Sequence, residues 1–149
     1  MNTSFPVPDH QKTRGIVYFA RMISKIRLHA AGQLPADFIG HLGLADNTSL
    51  DARFCRFWNL DYDKVKARTL AGGTDEDIFD DLFAGHQTLN TEHILAWNHF
   101  LLKRGWRDGA SKGVAANKAA SGLAHRDDIH TWADLHDAEE GRTPQPIFE

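Results

Sequence analysis

One cysteine, Cys55, stands in the 149 residues, so no internal disulfide can form. A domain of this length buries roughly 68–70% of its unfolded surface and needs no such staple. The single thiol suits a reducing compartment, and a cytoplasmic location is the expectation. Proline is scarce as well: between Pro8 and Pro144 only Pro35 occurs, which leaves little to interrupt helices. Long alternations of β-branched and polar residues are missing, so strand signals are few. No apolar run approaches the roughly 18 residues that a membrane span requires, and the first residues carry no apolar signal-peptide core. An excess of basic charge is lacking too. The net charge of -3 and pI near 6.3 argue against a protein built to hold a phosphate backbone, and neither nucleic acid nor membrane is an expected partner.

Familiar chemical motifs are also wanting. The chain shows no glycine-rich phosphate loop, no nucleophile elbow and no zinc-protease histidine pair. None of its nine histidines stands four residues from another. His130, Asp134 and Asp137 share one helical face at a spacing that a metal can use, but without a second histidine or cysteine a solvated acidic face is the better reading. No metal and no cofactor is expected.

What the sequence does hold is amphipathic helix. Over Gly15 to Gly32, a period near 100° per residue gathers Ile16, Phe19, Met22, Ile23, Ile26 and Ala30 on one side and Arg21, Ser24 and Lys25 on the other. Gly32 falls where a left-handed cap belongs. Further helices are expected after Thr48 or Ser49, with Leu50, Phe54, Phe57 and Trp58 inward, and from Asp61, with Tyr62, Val65, Thr69 and Leu70 inward. Thr74 caps the next, Thr91 one carrying Ile94, Leu95, Trp97, Leu101 and Leu102, and Asp108 an alanine-rich one. A last helix runs from Asp127 or Asp128 to Glu140. The fold class is therefore all-α: a compact single-domain bundle of about six or seven short helices. Residues 1–14 read as an N-terminal arm, 15–142 as the helical domain and 143–149 as a C-terminal tail. Lys and Arg exceed Asp and Glu by 4 in residues 1–74 and fall short by 7 in residues 75–149, so the two halves attract each other.

Certain runs resemble a bacterial family catalogued as domain of unknown function 5069. They are Lys25-Ile26-Arg27-Leu28-His29-Ala30-Ala31-Gly32, Gly72-Gly73-Thr74-Asp75-Glu76, Trp97-Asn98, Lys103-Arg104-Gly105-Trp106 and Arg126-Asp127-Asp128-Ile129. The likeness covers about residue 14 to Arg142 and implies no activity or ligand. The chain departs from that family's pattern at His99 and His136, so a role for either histidine belongs to this chain rather than to the family.

Candidate ligand-binding residues are Tyr18, Lys25, His29, Arg53, Arg56, Asn98, Arg104 and Trp106. Tyr18, Met22, Lys25 and His29 line one edge of the first helix, where Lys25 and His29 either hold a small anion or simply snorkel, stems packed and heads in water. Arg53 and Arg56, three apart, can fork onto a carboxylate or phosphate, or pair with the acidic second half. Cys55 beside Arg56 is expected to be buried and inert. Asn98 lies inside an apolar arc and must be bonded, most simply to a loop backbone. His93, Trp97, Phe100 and Arg104, followed by Trp106, make an aromatic and cationic stripe that either packs or sandwiches a planar ligand. The leading expectation is a binding or accessory module for a partner protein or a small anionic ligand. The alternative is a small-molecule enzyme with His29 as acid or base and Lys and Arg side chains on the substrate. A homo-oligomeric scaffold is a third. An enzyme requires these groups to converge in one cavity; a docking module can spread them over a flat face.

Overall fold

A computed structural model describes residues 3–87 and 89–144. Of the expected tail only Thr143 and Pro144 fall among them, and the remainder of that segment lies outside the described residues. The molecule is mainly helical: α1 Phe19–Ala30, α2 Leu50–Trp58, α3 Tyr62–Leu70, α4 Asp75–Leu82, α5 Thr91–Lys103, α6 Ser111–Ala120 and α7 Trp132–Glu139, with a 3-10 helix over Ala36–His41. No helix among the described residues is long and apolar enough to cross a membrane.

The opening helix is shorter than its periodicity suggests. Ile16 and Val17, expected in its first turn, form β2 (Ile16–Val17), which pairs antiparallel with β1 (Lys12–Thr13). Arg14 and Gly15 join the strands with φ of 50° and 81°, the two positive values that a tight two-residue hairpin turn demands. Helix α1 starts only after Tyr18, which sits in the left-handed region at φ 77°. Such a conformation costs a bulky residue about 1–3 kcal/mol, and surrounding structure must enforce it. Here the Tyr18 amide donates to the Asp9 carbonyl at 3.0 Å and its ring packs against Phe54. At the other end the Gly32 and Gln33 amides bond back to His29 and Leu28, closing the helix as expected.

Capping explains most other boundaries. Ser49, Asp61 and Thr74 cap α2, α3 and α4, the last through a reciprocal capping box with Asp77. Asn90 rather than Thr91 caps α5. Asp108 instead bonds the Gly105 and Ala110 amides, and α6 begins one turn later without a side-chain cap. Helix α7 also starts later than expected, because Thr131 and Asp134 form its capping box.

The core lies between α1, α2, α3, α4 and α5, with Phe19, Phe54, Trp58, Phe79, Phe83 and Trp97 joined by edge and tilted ring contacts and by the stacked pair of Phe79 and Phe83. Leu70 and Leu95, expected inward, stand at helix ends and faces that remain exposed. Four arginines of the first half reach the acidic second half: Arg14 to Asp80, Arg21 to Glu140, Arg27 to Asp75 and Arg68 to Asp81. The charge asymmetry thus works within the chain.

Asn98 joins α5 to the hairpin. Its Oδ1 accepts from the Val17 amide at 3.1 Å and its Nδ2 donates to the Gly15 carbonyl at 2.9 Å, beside a Trp97 indole that donates to the Val17 carbonyl. Asn98→Leu removes the partners of two backbone groups, at about 1–3 kcal/mol for each one left unsatisfied. A lowered midpoint in urea denaturation is expected; an unchanged or raised melting temperature overturns this role.

Candidate functional site

On the face of α1 away from the core, Arg21 and Lys25 were expected to point outward, yet both are buried. Segments remote in sequence cover that face and bring carboxylates to meet them. Asp51, in the first turn of α2, is fully buried and accepts from Lys25 Nζ at 2.9 Å, from the Tyr18 hydroxyl at 2.6 Å and from the Gly43 amide at 2.8 Å. Lys25 also donates to the His41 carbonyl at 3.3 Å. Gly43 is required here twice over, since it adopts φ 60° and a Cβ would run into the Tyr62 ring. Burial first, and the Asp51 carboxylate second, push the Tyr18 hydroxyl well above its ordinary value, so it remains a neutral donor.

A second cluster lies beside the first. The Arg21 guanidinium forks onto Glu140 at 2.9 and 2.7 Å, donates to the Val7 carbonyl at 3.0 Å, and its Nε lies 3.2 Å from Asp9. Burial alone would lower the Arg21 pKa, but Asp9 and Glu140 more than reverse this and keep it a cation. Asp9, 1% exposed, also faces His136 Nδ1, with both carboxylate oxygens at 3.0 Å. Burial pushes the Asp9 carboxyl up, and His136 and Arg21 together outweigh it and hold the group well below the usual carboxylate range. Arg142 closes the cluster through Asp137 at 2.9 Å and through Glu140.

These two clusters form part of the wall of a cavity of about 810 Å³. Tyr18, Lys25, Arg53 and Arg104 are among its lining residues, so half of the sequence-derived candidates converge. The wall also includes Arg21, Phe38, Trp132, His136 and Glu140, from the 3-10 helix, α1 and the C-terminal part of the chain. The other four candidates are placed elsewhere. His29 is exposed in the last turn of α1, Arg56 donates to the Asn47 side chain at 2.9 Å, Asn98 serves the hairpin, and Trp106 is 53% exposed under the Arg107 guanidinium. Among the described residues neither Arg53 nor Arg56 pairs with a carboxylate of the second half. Cys55 is buried, and burial pushes its thiol up to about 12, a value at which it is inert near neutral pH.

Asp9, Asp51, Glu140 and Arg21 escaped the sequence reading. For Asp51 a signal existed: it lies three and seven residues before Phe54 and Trp58, on the apolar stripe of α2, where a carboxylate implies a buried cation. His130, Asp134 and Asp137 do not converge on a metal: Asp134 accepts from the His130 and Thr131 amides and Asp137 faces Arg142 and His10. Among the described residues no group of three or more histidine, cysteine, aspartate or glutamate side chains is arranged to hold an ion.

Fold and site together define a mainly helical protein in which internally neutralised ion pairs form part of the wall of a cavity of mixed polar and apolar lining. The chain belongs to the family described as domain of unknown function (DUF5069), whose model matches residues 3–142. No curated protein matches it.

Proposed function

We propose that this protein binds a small organic or inorganic anion, a carboxylate or a phosphate, in the cavity. One observation carries the reading: Arg53 lines the cavity without a carboxylate partner among the described residues, its Nε donating only to the Thr48 carbonyl at 3.3 Å. The other cations there are already matched. Lys25 has Asp51, Arg21 has Asp9 and Glu140, and Arg104 has Asp108 at 3.5 Å. A guanidinium presents a planar fork suited to an anion, and a wall of paired groups holds its geometry without competing for the ligand. The cytoplasmic location expected from the lone cysteine agrees with a metabolite of this kind.

Thermal denaturation in the presence of phosphate, citrate and glycolate tests the proposal. At a concentration of about 100 Kd a ligand confined to the native state stabilises by about 2.7 kcal/mol. A raised Tm is expected with at least one of these anions, and Arg53→Ala should weaken the affinity at least tenfold without lowering the unliganded Tm by more than a few degrees. No shift with any of them, or an equal shift in the variant, overturns it.

A further inference from the structure

His136 was noted in the sequence only as a departure from a family pattern, and the anion-binding reading does not use it. Its position is unusual among the histidines of the chain. Nδ1 faces both oxygens of Asp9, a carboxylate 1% exposed, and the imidazole lies at 27° to the Trp132 ring with 6.1 Å between centroids. The ring is therefore fixed by a hydrogen bond and by stacking. With Nδ1 turned inward, Nε2 is the nitrogen left for the cavity that His136 lines. The side chain is 26% exposed, so the ring is accessible there. A histidine oriented by a buried carboxylate presents one defined lone pair, and the carboxylate offsets the charge that appears when that lone pair takes a proton.

We infer that Asp9 and His136 form a proton-transfer dyad in the cavity wall, with His136 Nε2 as general base toward a hydroxyl of a bound carboxylate or phosphate. In the step, the O–H bond of the ligand breaks, its electron pair stays on oxygen, and the proton forms the new N–H bond at Nε2. The imidazolium so made faces Asp9, and the proton returns to the same ligand oxygen or passes to water. Asp9 is a positioning residue; His136 is the catalytic one. Asp9 from the N-terminal segment faces the ring, with Arg21 from α1 behind it, and the cavity wall that the ring shares also carries Lys25, Arg53, Arg104, Glu139 and Glu140. This goes beyond the anion-binding reading and rests on it only for the ligand class.

The dyad makes a specific demand on Asp9→Asn. Asp9 Oδ1 is 3.2 Å from Arg21 Nε, and a guanidinium can only donate. In the variant the amide oxygen stays on Arg21 Nε and remains 3.0 Å from Nδ1, while the amide NH₂ takes the other position at the same distance and opposes a protonated Nδ1. Nδ1–H thus loses one of its two acceptors and the carboxylate charge that favours it, so the Nε2–H tautomer gains share and the base is weakened.

Two measurements on the full chain read this out. Long-range ¹H–¹⁵N spectra, with the His136 signals assigned through His136→Gln, are expected to show Nδ1 protonated and Nε2 bare at pH 8 in the native sequence and a larger share of the Nε2–H tautomer in Asp9→Asn. Carbethoxylation by diethyl pyrocarbonate, followed by mass spectrometry, is expected at His136 and to slow in Asp9→Asn while the rate at exposed His29 is unchanged. Should the variant fail to fold, the tautomer of the native protein decides by itself. An Nε2 that stays protonated up to pH 9, or a bare Nδ1, overturns the dyad, as does an unchanged carbethoxylation rate in a folded variant. Because neither readout requires an added anion, the dyad and the anion site can fail separately.

Discussion

Asp51→Leu is expected to lower the unfolding free energy by about 3–5 kcal/mol, because it leaves the Lys25 ammonium buried without its counter-charge. The Lys25 side chain is 5% exposed and Asp51 0%, so water cannot replace the lost acceptor. The Tyr18 hydroxyl and the Gly43 amide lose their acceptor in the same substitution. For a chain of this length each kcal/mol corresponds to about 2–4 °C, so the expected fall in Tm is roughly 6–20 °C. The double variant Lys25→Met with Asp51→Leu should recover the part of the loss that comes from the unpaired ammonium, while the Tyr18 hydroxyl and the Gly43 amide still lack their acceptor. Urea denaturation followed by tryptophan fluorescence measures both. A single variant within about 1 kcal/mol of the parent would show that solvent reaches the pair.

Arg21→Met should be comparably damaging at neutral pH, about 3–5 kcal/mol, because Asp9 and Glu140 then keep their charges with fewer donors. The pH dependence separates this case from simple loss of packing. Asp9 in the native protein titrates below its unfolded value of about 3.9. Its contribution is thus fully present above pH ~4 and is lost as the pH falls through the depressed native value. In Arg21→Met one of the influences that outweigh burial is gone while His136 and Lys25 remain, so Asp9 titrates higher and the acid limb becomes shallower. Melting curves between pH 7 and pH 3 test this; parallel profiles for parent and variant would place the acid sensitivity elsewhere. Exposed Asp128, held at about 2 by Arg126, contributes little to that limb because solvent screens the pair.

The sequence was a good guide wherever the cause was local. The stripe Phe19, Met22, Ile23 and Ile26 does face the core, and Ser49, Asp61 and Thr74 do cap the helices that follow them. Each of these depends on residues within a few positions of one another. The start of α1 was misplaced because Ile16 and Val17 suit either a helix or a strand, and a hairpin with Lys12 and Thr13 decided between them. The site was half legible. Tyr18, Lys25, Arg53 and Arg104 were singled out as polar groups at apolar edges, but Lys25 was weighed against a wetted head, and Arg21 was placed on the outer side. Both are buried because their partners lie far along the chain, Asp51 for Lys25 and Glu140 for Arg21, 26 and 119 positions away. Helical periodicity tells which side a residue faces and not what arrives to cover it.

Arg21 holds the segment around Val7 and Asp9 on one flank and Glu140 on the other, while Arg142 reaches the Pro6 carbonyl at 3.4 Å. A nascent chain leaving the ribosome therefore has its opening helix, hairpin and Asp9 early but lacks Glu140 and His136 until nearly all of it has been made. The wall of the cavity is the last part to be assembled, and protein shortened by premature termination before α7 would present it unfinished.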